Sequence, residues 1–187
     1  MAQVCIFLAP GYEEVEMLTV VDMLRRAGVE IDMVSITEKK EVTSSHNVTI
    51  TADKLFDEVD FASVQMLILP GGIPGTPNLR AHAPLCEQLQ AFAKDENKWL
   101  AAVCAAPTVL GELGILDGHQ ATCYSDFADK IICGQYIKKP VVRDGHIITS
   151  RGMGTCIDFA GEIIAALKDQ QTADLIKTKI IYQDDYE

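Results

Sequence analysis

The chain has 187 residues, 48% of them hydrophobic, and its 16 basic and 27 acidic residues give a formal net charge of −11. This length and apolar content exclude a disordered chain and predict one domain over residues 1–187. The negative charge argues against nucleic acid or an anionic membrane as a main partner, and no apolar run reaches the length of a membrane span.

The chain begins with a predicted strand and a predicted amphipathic helix. The apolar run at residues 3–8 indicates the strand, and a turn of alanine, proline and glycine follows it. The helix is predicted over residues 13–27, and Gly28 ends it. Its predicted apolar positions are Met17, Leu18, Val20, Val21 and Leu24.

The next segments continue this alternation. A second strand is predicted over residues 30–36, and the polar, β-rich stretch 41–51 favours a hairpin. Residues 55–61 indicate a short acidic helix. A third, buried strand is predicted over 65–69, QMLIL, and ends in the turn PGGIPG.

The second half repeats the pattern. Helices are predicted at residues 84–93, about 155–168 and 172–178, a central strand at 99–103, a short strand-like piece at 120–124, and a hairpin at 141–150. Thr155 and Asp158 have the spacing of a capping box at one helix start. Alternating strands and helices predict an α/β fold, with a mostly parallel sheet covered on both faces.

The stretch KWLAAVCAAP places Cys104 between a predicted buried strand and a predicted helix start. A residue in that position lies on a sharp turn at the carboxyl edge of the sheet, where open α/β sheets bind ligands. The arrangement is a nucleophile elbow with Cys in the place of the usual Ser. Because a helix N-terminus favours negative charge, we expect a pKa for Cys104 below that of a free thiol.

Glu16 lies in the first turn of the first helix, in line with Val20 and Leu24 on its apolar face. A carboxyl buried there tends to hold its proton and could pass a proton to or from a thiol or a substrate. The spacing alone is equally consistent with an acid that only complements the helix dipole.

Gly71 and Gly72 end the third strand and so lie at the same sheet edge. The N–H groups of Gly72 and Ala105 would make a reasonable pair of oxyanion donors. Taken alone, the two glycines favour an ordinary tight turn over an oxyanion site, and both interpretations stay open at this point.

Several kinds of site are absent from the sequence. No strand is followed by G-x-G-x-x-G, and there is no Walker-type loop, so we expect no nucleotide cofactor. The six cysteines show no C-x-x-C pair and no metal-ligand spacing, so we expect no metal. Most of them are typical of core residues in a reducing, cytoplasmic protein. Cys123 is the exception, since it ends a predicted strand and could face the same edge as Cys104.

These motifs together resemble the ThiJ/PfpI superfamily, specifically the branch of the Parkinson-disease-associated protein deglycase. The resemblance covers nearly the whole chain and rests on FLAPGYEEVEMLTVVDMLRRAG, LPGG, AAVCAAP and TSRGMGT, in that order. It implies a flavodoxin-like, three-layer α/β/α sandwich. It also implies that Cys104 is the reactive cysteine, Glu16 the acid beside it, and Gly72 and Ala105 the backbone donors.

The resemblance further implies a homodimer in which the first helix packs near its partner. Arg26 and the loop at His46 would then lie close to the other subunit's site. One position departs from the family, because close relatives often carry a histidine near the cysteine where this chain has Tyr124. A phenol offers a hydrogen bond at neutral pH but not an imidazole base, which argues against a Cys–His mechanism.

Two hypotheses of different classes follow. In the first, Cys104 attacks a small reactive carbonyl compound or a glycated adduct, and Glu16 relays the proton; the resemblance implies deglycase or cofactor-independent glyoxalase activity. In the second, the protein is a redox-responsive chaperone or stress sensor that works through oxidation of Cys104. A cysteine peptidase or amidase is a weaker third possibility.

Overall fold

A seven-stranded sheet forms the centre of the computed structural model, which describes residues 4–182. In spatial order the strands are β10 (Val141–Asp144), β11 (Ile147–Ser150), β7 (Trp99–Val103), β6 (Met66–Leu69), β1 (Val4–Leu8), β2 (Ile31–Ser35) and β5 (Lys54–Leu55). Every neighbouring pair is parallel except β10 and β11, which form an antiparallel hairpin at one edge. The sheet is therefore mostly parallel.

Two short pairs of strands lie outside this sheet. The first is an antiparallel hairpin of β3 (Glu41–Thr43) and β4 (Thr49–Thr51), and the second is a parallel pair of β8 (Gln120–Ala121) and β9 (Gln135–Tyr136). The helices are α1 (Glu14–Arg26), α2 (Gly75–Ala81), α3 (Ala83–Ala93), α4 (Pro107–Glu112), α5 (Cys156–Leu167) and α6 (Gln170–Lys179). None of the described helices is long and apolar enough to cross a membrane.

The alternation of side chains along β1 explains why the sheet is covered on both faces. Val4, Ile6 and Leu8 belong to one buried cluster, with residues of α1, α5 and α6. Cys5 and Phe7 belong to a second cluster, with residues of α2, α3 and α4. Because β1 is buried on both faces, its sequence reads as one continuous apolar run. The flavodoxin-like three-layer architecture expected from the sequence is confirmed.

The strand order reverses beside β1, whose neighbours are β2 on one side and β6 on the other. Such a reversal opens a crevice at the carboxyl ends of the strands, where α/β proteins bind ligands. The segments that follow β1, β6, β7 and β11 meet around this crevice, and they carry the candidate site.

Several local predictions need correction. Leu18 was expected on the buried face of α1, but 45% of it is exposed. The acidic segment 55–61 forms only one 3₁₀ turn, Phe56–Glu58, after an edge strand. The Thr155–Asp158 capping box is not formed. The Thr155 hydroxyl instead contacts Ser150 and donates to the Gly152 carbonyl, while Asp158 accepts hydrogen bonds from Lys177 and Tyr182.

Candidate active site

Cys104 lies on a sharp turn directly after β7. Its φ of +65° is in the left-handed region, which residues other than glycine seldom adopt. Two backbone hydrogen bonds hold this conformation: the Cys104 N–H donates to the Ser150 carbonyl (3.0 Å), and the Cys104 carbonyl accepts from the Tyr124 N–H (2.8 Å). The side chain is only partly buried, so the turn presents its sulfur at the sheet edge.

Glu16 meets Cys104 from the first turn of α1. The residue is 1% exposed, its carboxylate accepts a hydrogen bond from the Gly71 N–H at 2.8 Å, and its side chain is hydrogen-bonded to that of Cys104. Burial raises the pKa of Glu16 from its ordinary 4.5 to about 7, although the bonds from Gly71 and Cys104 favour the charged form. The acid and the thiol that the sequence singled out separately are thus neighbours.

Gly71 fits where no other residue would. A Cβ at this position would lie 2.6 Å from the Cys104 Cβ and 2.7 Å from Oε2 of Glu16. The absence of a side chain therefore lets the loop after β6 approach both groups and place its N–H on the carboxylate. Gly71 belongs to the centre of the site, whereas the sequence suggested only its periphery.

Two further N–H groups face the sulfur. Gly72, with φ of +96°, and Ala105 each direct a backbone hydrogen bond at the Cys104 side chain, and both bonds favour the thiolate. Donors converging on one point beside a nucleophile suit an oxyanion that forms there. The N–H groups of Gly72 and Ala105 thus have the geometry expected of the oxyanion pair that the sequence suggested. Their catalytic role stays a prediction.

The prediction of a low pKa for Cys104 is wrong. Burial raises the pKa of this thiol, the charge and hydrogen bond of ionised Glu16 raise it further, and the N–H groups of Ala105 and Gly72 only partly oppose them. The helix that was expected to favour the thiolate has six residues and begins at Pro107, so its dipole is small. Near pH 7 the carboxyl therefore ionises before the thiol and is available to accept the thiol proton.

A wall that the sequence analysis missed comes from the segment after β11. A Cβ on Gly152 would lie 3.8 Å from both the Cys104 sulfur and Oε1 of Glu16. Cys156, at the start of α5, is 1% exposed and donates to the Gly152 carbonyl at 3.4 Å. Burial, followed by the charge of Glu16, raises the pKa of Cys156. Its position after a glycine-rich turn at the same sheet edge was the available signal.

Tyr124 borders the site, and Cys123 does not reach it. Tyr124 is 43% exposed, and its ring edge (Cδ2) lies 3.5 Å from where a Cβ on Gly152 would be. Cys123 is fully buried, and its thiol donates to the Tyr124 carbonyl at 3.4 Å. Burial raises the pKa of Cys123 to about 11. Tyr124 is therefore a candidate substrate contact, and Cys123 is a core residue.

His46 and Arg26 lie outside the centre of the site. The Nδ1 atom of His46 lies 3.2 Å from the Glu14 carboxylate and 3.6 Å from that of Glu13, at the start of α1. These three side chains are the one group of potential metal ligands among residues 4–182, with donor atoms within 4.8 Å of one another. Arg26 pairs with Asp22 at 2.6 Å near the far end of α1. Its expected approach to a partner subunit's site stays a prediction.

Comparison with known proteins places these features in context. The model of the DJ-1/PfpI family matches residues 2–166. Protein DJ-1 homolog B of Arabidopsis thaliana is 32% identical over 91% of this chain, which spans only 39% of that longer protein. The glutathione-independent glyoxalase DJ-1 of Schizosaccharomyces pombe is 30% identical over 92% of this chain and 96% of its own length. The solved structure described as oxidized DJ-1 of Toxoplasma gondii has a TM-score of 0.93 and 32% identity over 98% of this chain and 100% of its own.

Proposed function

Because this chain belongs to the DJ-1/PfpI family, we propose that it is a cofactor-independent enzyme that converts small α-oxoaldehydes to 2-hydroxy acids, with Cys104 as the nucleophile. The observation that carries the proposal is the contact between Glu16 and Cys104, together with the N–H groups of Gly72 and Ala105 that are directed at the same sulfur. An acid, a thiol and two aligned donors are the parts that addition to a carbonyl needs. The name of the fission-yeast relative supports the choice of substrate.

The first step is addition to the aldehyde carbon. The carboxylate of Glu16 accepts the proton of the Cys104 thiol as the sulfur forms its bond to that carbon. The aldehyde oxygen takes the electron pair of the broken π bond, and the N–H groups of Gly72 and Ala105 stabilise the developing oxyanion. A positioned carboxylate base fills the place that an imidazole has in Cys–His enzymes.

The remaining steps move hydrogen within the substrate. Glu16 gives the proton that it took from the thiol to the keto oxygen, and its carboxylate then takes the proton from the former aldehyde carbon. Glu16 passes this proton to the neighbouring keto carbon, which becomes an alcohol, and is left ionised again. The former aldehyde carbon is thereby oxidised to a thioester as the keto carbon is reduced. Water then hydrolyses the thioester, releasing the 2-hydroxy acid and the Cys104 thiol. Overall, one α-oxoaldehyde and one water molecule give one 2-hydroxy acid, and the reaction needs no external oxidant or cofactor.

The test is conversion of methylglyoxal to lactate in the absence of glutathione. Cys104→Ser is expected to lower kcat/KM by at least about 100-fold, because a serine hydroxyl is a much weaker nucleophile than a cysteine thiol at neutral pH. Cys133→Ser is the matched control, since this partly exposed cysteine belongs to another part of the fold. A Cys104→Ser enzyme with the wild-type rate would refute the proposal.

Deglycation is the same addition chemistry applied to an adduct. If the carbonyl carbon is already bound to an amine, Cys104 attacks that carbon and forms a carbon–sulfur bond. The carbon–nitrogen bond breaks, and the amine leaves with a proton. The two activities are separated by supplying a preformed methylglyoxal–amine adduct with an excess of a scavenger for free aldehyde. Release of amine faster than the uncatalysed rate under those conditions would support a deglycase.

A redox-responsive role is the second candidate, and the partial exposure of Cys104 favours it. The carboxyl of Glu16, when protonated, could donate a hydrogen bond to an oxidised sulfur. Mass spectrometry after mild peroxide treatment is expected to show oxidation at Cys104 before the four buried cysteines. The hypothesis fails if Cys104 stays reduced while the others oxidise.

The proposal includes a cytoplasmic location, because free cysteines suit a reducing compartment.

A further inference from the structure

Gly152 connects the ring of Tyr124 with the nucleophile. A Cβ built on this glycine would lie 3.5 Å from Cδ2 of Tyr124 and 3.8 Å from the Cys104 sulfur, and both are ordinary van der Waals contacts. The ring edge and the sulfur are therefore separated by no more than two such contacts. A substituent on a carbon that is bonded to the sulfur thus comes within reach of the Tyr124 ring.

The side chain of Tyr124 is accessible to a ligand. It is 43% exposed, and neither its ring nor its hydroxyl makes a hydrogen bond or ring contact among residues 4–182. Its backbone is fixed relative to the nucleophile, because the Tyr124 N–H donates to the Cys104 carbonyl at 2.8 Å. The proposed chemistry uses neither the ring nor the hydroxyl, so an accessible aromatic side chain stands beside the nucleophile without an assigned role.

Met153 is a second exposed apolar side chain at this position. It follows Gly152 directly, begins the 3₁₀ turn Met153–Thr155 and is 58% exposed. Its N–H is hydrogen-bonded to the Glu16 carboxylate, which fixes its backbone beside the site. Gly152 itself is buried, so the accessible surface around this glycine comes from the side chains of Tyr124 and Met153.

Both side chains favour an aromatic ligand over an aliphatic ligand of equal size. Pairs of aromatic rings stabilise by more than the area that they bury, because the positive edge of one ring meets the negative face of the other. The thioether of methionine also makes favourable contacts with aromatic rings. Single exposed apolar residues are common on protein surfaces, but two that adjoin one glycine at a nucleophile indicate a binding surface.

We propose that Tyr124 and Met153 form a subsite for the substituent of the α-oxoaldehyde, and that this subsite selects an aromatic ring. The inference rests on the proposed function and adds no chemical step to it. The preferred substrates are then aryl α-oxoaldehydes, of which phenylglyoxal is the simplest, rather than methylglyoxal. One phenylglyoxal and one water molecule give one mandelate through the same addition, hydrogen transfer and hydrolysis.

The first experiment compares phenylglyoxal with cyclohexylglyoxal, whose saturated ring has nearly the same size. Tyr124→Leu is expected to lower kcat/KM about fivefold more for phenylglyoxal than for cyclohexylglyoxal, because leucine offers no ring to the substrate. The intrinsic reactivities of the two aldehydes cancel, since each variant is compared with the wild type on the same substrate. Tyr124→Phe keeps the ring and is expected to retain the wild-type ratio. Equal losses for both aldehydes in Tyr124→Leu, or the same change of ratio in Tyr124→Phe, would overturn the subsite.

Met153 is tested separately with Met153→Ala, which keeps the N–H that faces Glu16 and removes only the thioether. This variant is expected to lower kcat/KM about threefold more for phenylglyoxal than for cyclohexylglyoxal. The matched control is Leu175→Ala, which shortens an apolar side chain of α6 that is 51% exposed and should leave both values unchanged. An equal effect of Met153→Ala on both aldehydes would overturn the assignment of Met153 to the subsite.

A binding measurement separates failure of the subsite from failure of the proposed function. Calorimetry with mandelate, its cyclohexyl analogue and lactate needs no turnover. The wild type is expected to bind mandelate about tenfold more tightly than lactate and about fivefold more tightly than the cyclohexyl acid, and Tyr124→Leu should lose the second difference. A protein that lacks turnover but shows these differences would contradict the enzyme and retain the subsite. Equal affinities for mandelate and the cyclohexyl acid would overturn the subsite, even if methylglyoxal is converted.

Discussion

Glu16 is the residue at which burial, hydrogen bonding and charge oppose one another most directly. Its side chain is buried against Cys104 and accepts the Gly71 N–H, yet its pKa rises to about 7 because burial outweighs the bonds. The folded protein therefore binds a proton here that the unfolded chain has already lost above pH 4.5. Stability must fall as pH rises from about 4.5 to about 7, and by about 3 kcal/mol in total.

This dependence can be isolated with Glu16→Gln, because glutamine does not titrate and still accepts a hydrogen bond from Gly71. Urea unfolding at pH 5 and pH 7.5 is expected to show that the wild type loses stability relative to the variant over this interval. The thiol of Cys104 stays protonated at both pH values, since its pKa is raised. A constant difference between wild type and variant would contradict the raised pKa of Glu16.

The same proton should govern the rate. If ionised Glu16 accepts the thiol proton, kcat/KM for methylglyoxal is expected to rise with pH around an apparent pKa of about 7. The expected change is an increase of about tenfold between pH 6 and pH 7.5, since ionisation of one group sets the slope. Glu16→Gln should flatten the profile. Wild-type activity that is highest below pH 6 would instead favour a protonated Glu16.

Gly71 offers a steric test of the same site. Gly71→Ala places a methyl group against Cys104 and Glu16, so the loop after β6 must move. We expect a loss of about 2 kcal/mol in the free energy of unfolding, together with most of the activity. Gly154→Ala is the control, because a Cβ there meets nothing within 4 Å. Both quantities are read from urea unfolding and the lactate assay.

The sequence predicted which residues meet at the candidate site better than it predicted their pKa values. Cys104 and Glu16 follow from an elbow pattern and from helical spacing, both of which are local in sequence. The direction of the Cys104 pKa does not, because it depends on the long-range contact of Glu16 in α1 with Cys104 and on a helix that begins at Pro107 rather than immediately after the cysteine. Gly152 was missed because its contacts with the site are entirely long-range.

Among the elements, long periodic segments were predicted well and short ones were not. The amphipathic α1 and the fully apolar β1, β6 and β7 match the expected positions closely. α2 was missed because its sequence, GTPNLRA after Pro74, is typical of a loop. Tertiary packing stabilises this helix by burying Leu79 and Thr76 against its neighbours. β5 was missed because two residues carry too little pattern to indicate a strand.

Lys98 contacts several elements, so its substitution tests how they are held together. The ammonium of Lys98, just before β7, donates to the carbonyl oxygens of Phe61, Ala62 and Val64, which precede β6. Its Nζ also lies 4.9 Å from the ring centroid of Phe92 in α3. These bonds hold the entry to two central strands in register.

Lys98→Met keeps the apolar stem and removes these bonds. We expect a loss of about 2 kcal/mol in the free energy of unfolding, because hydrogen bonds from a charged donor stabilise more than neutral ones. Lys94→Met, at an exposed position of the same chain segment, should change stability by less than about 0.5 kcal/mol. Equal effects of the two substitutions in urea unfolding would contradict the structural role of Lys98.

At the scale of the whole molecule, the expected homodimer can be tested on α1. Leu18 and Val15 are 45% and 41% exposed, and Leu18 borders a shallow depression of about 600 Å³ together with Arg26 and Ile181. Contiguous exposed apolar side chains favour an interface. Sedimentation equilibrium is expected to give the mass of two chains for the wild type.

Leu18→Glu is expected to shift the sedimenting species to one chain, since it places a charge in the expected contact. Ile132→Glu is the control, because Ile132 is 55% exposed and packs near α4 on the other side of the sheet. A monomeric wild type would contradict the expectation, as would a Leu18→Glu dimer of unchanged affinity.

The position of β11 has a consequence for biosynthesis. The hydrogen bond from the Cys104 N–H to the Ser150 carbonyl is one of the two that hold the bent conformation, and β11 also covers the edge of β7. A nascent chain emerges from the ribosome N-terminus first, so it carries the thiol well before the strand that completes the elbow. Until Ser150 follows, one edge of the central strands stays open to pairing with other chains, as unpartnered strands do. We therefore expect newly made protein to pass through an interval in which the elbow is incomplete and a strand edge is exposed, and the β10–β11 hairpin ends both conditions.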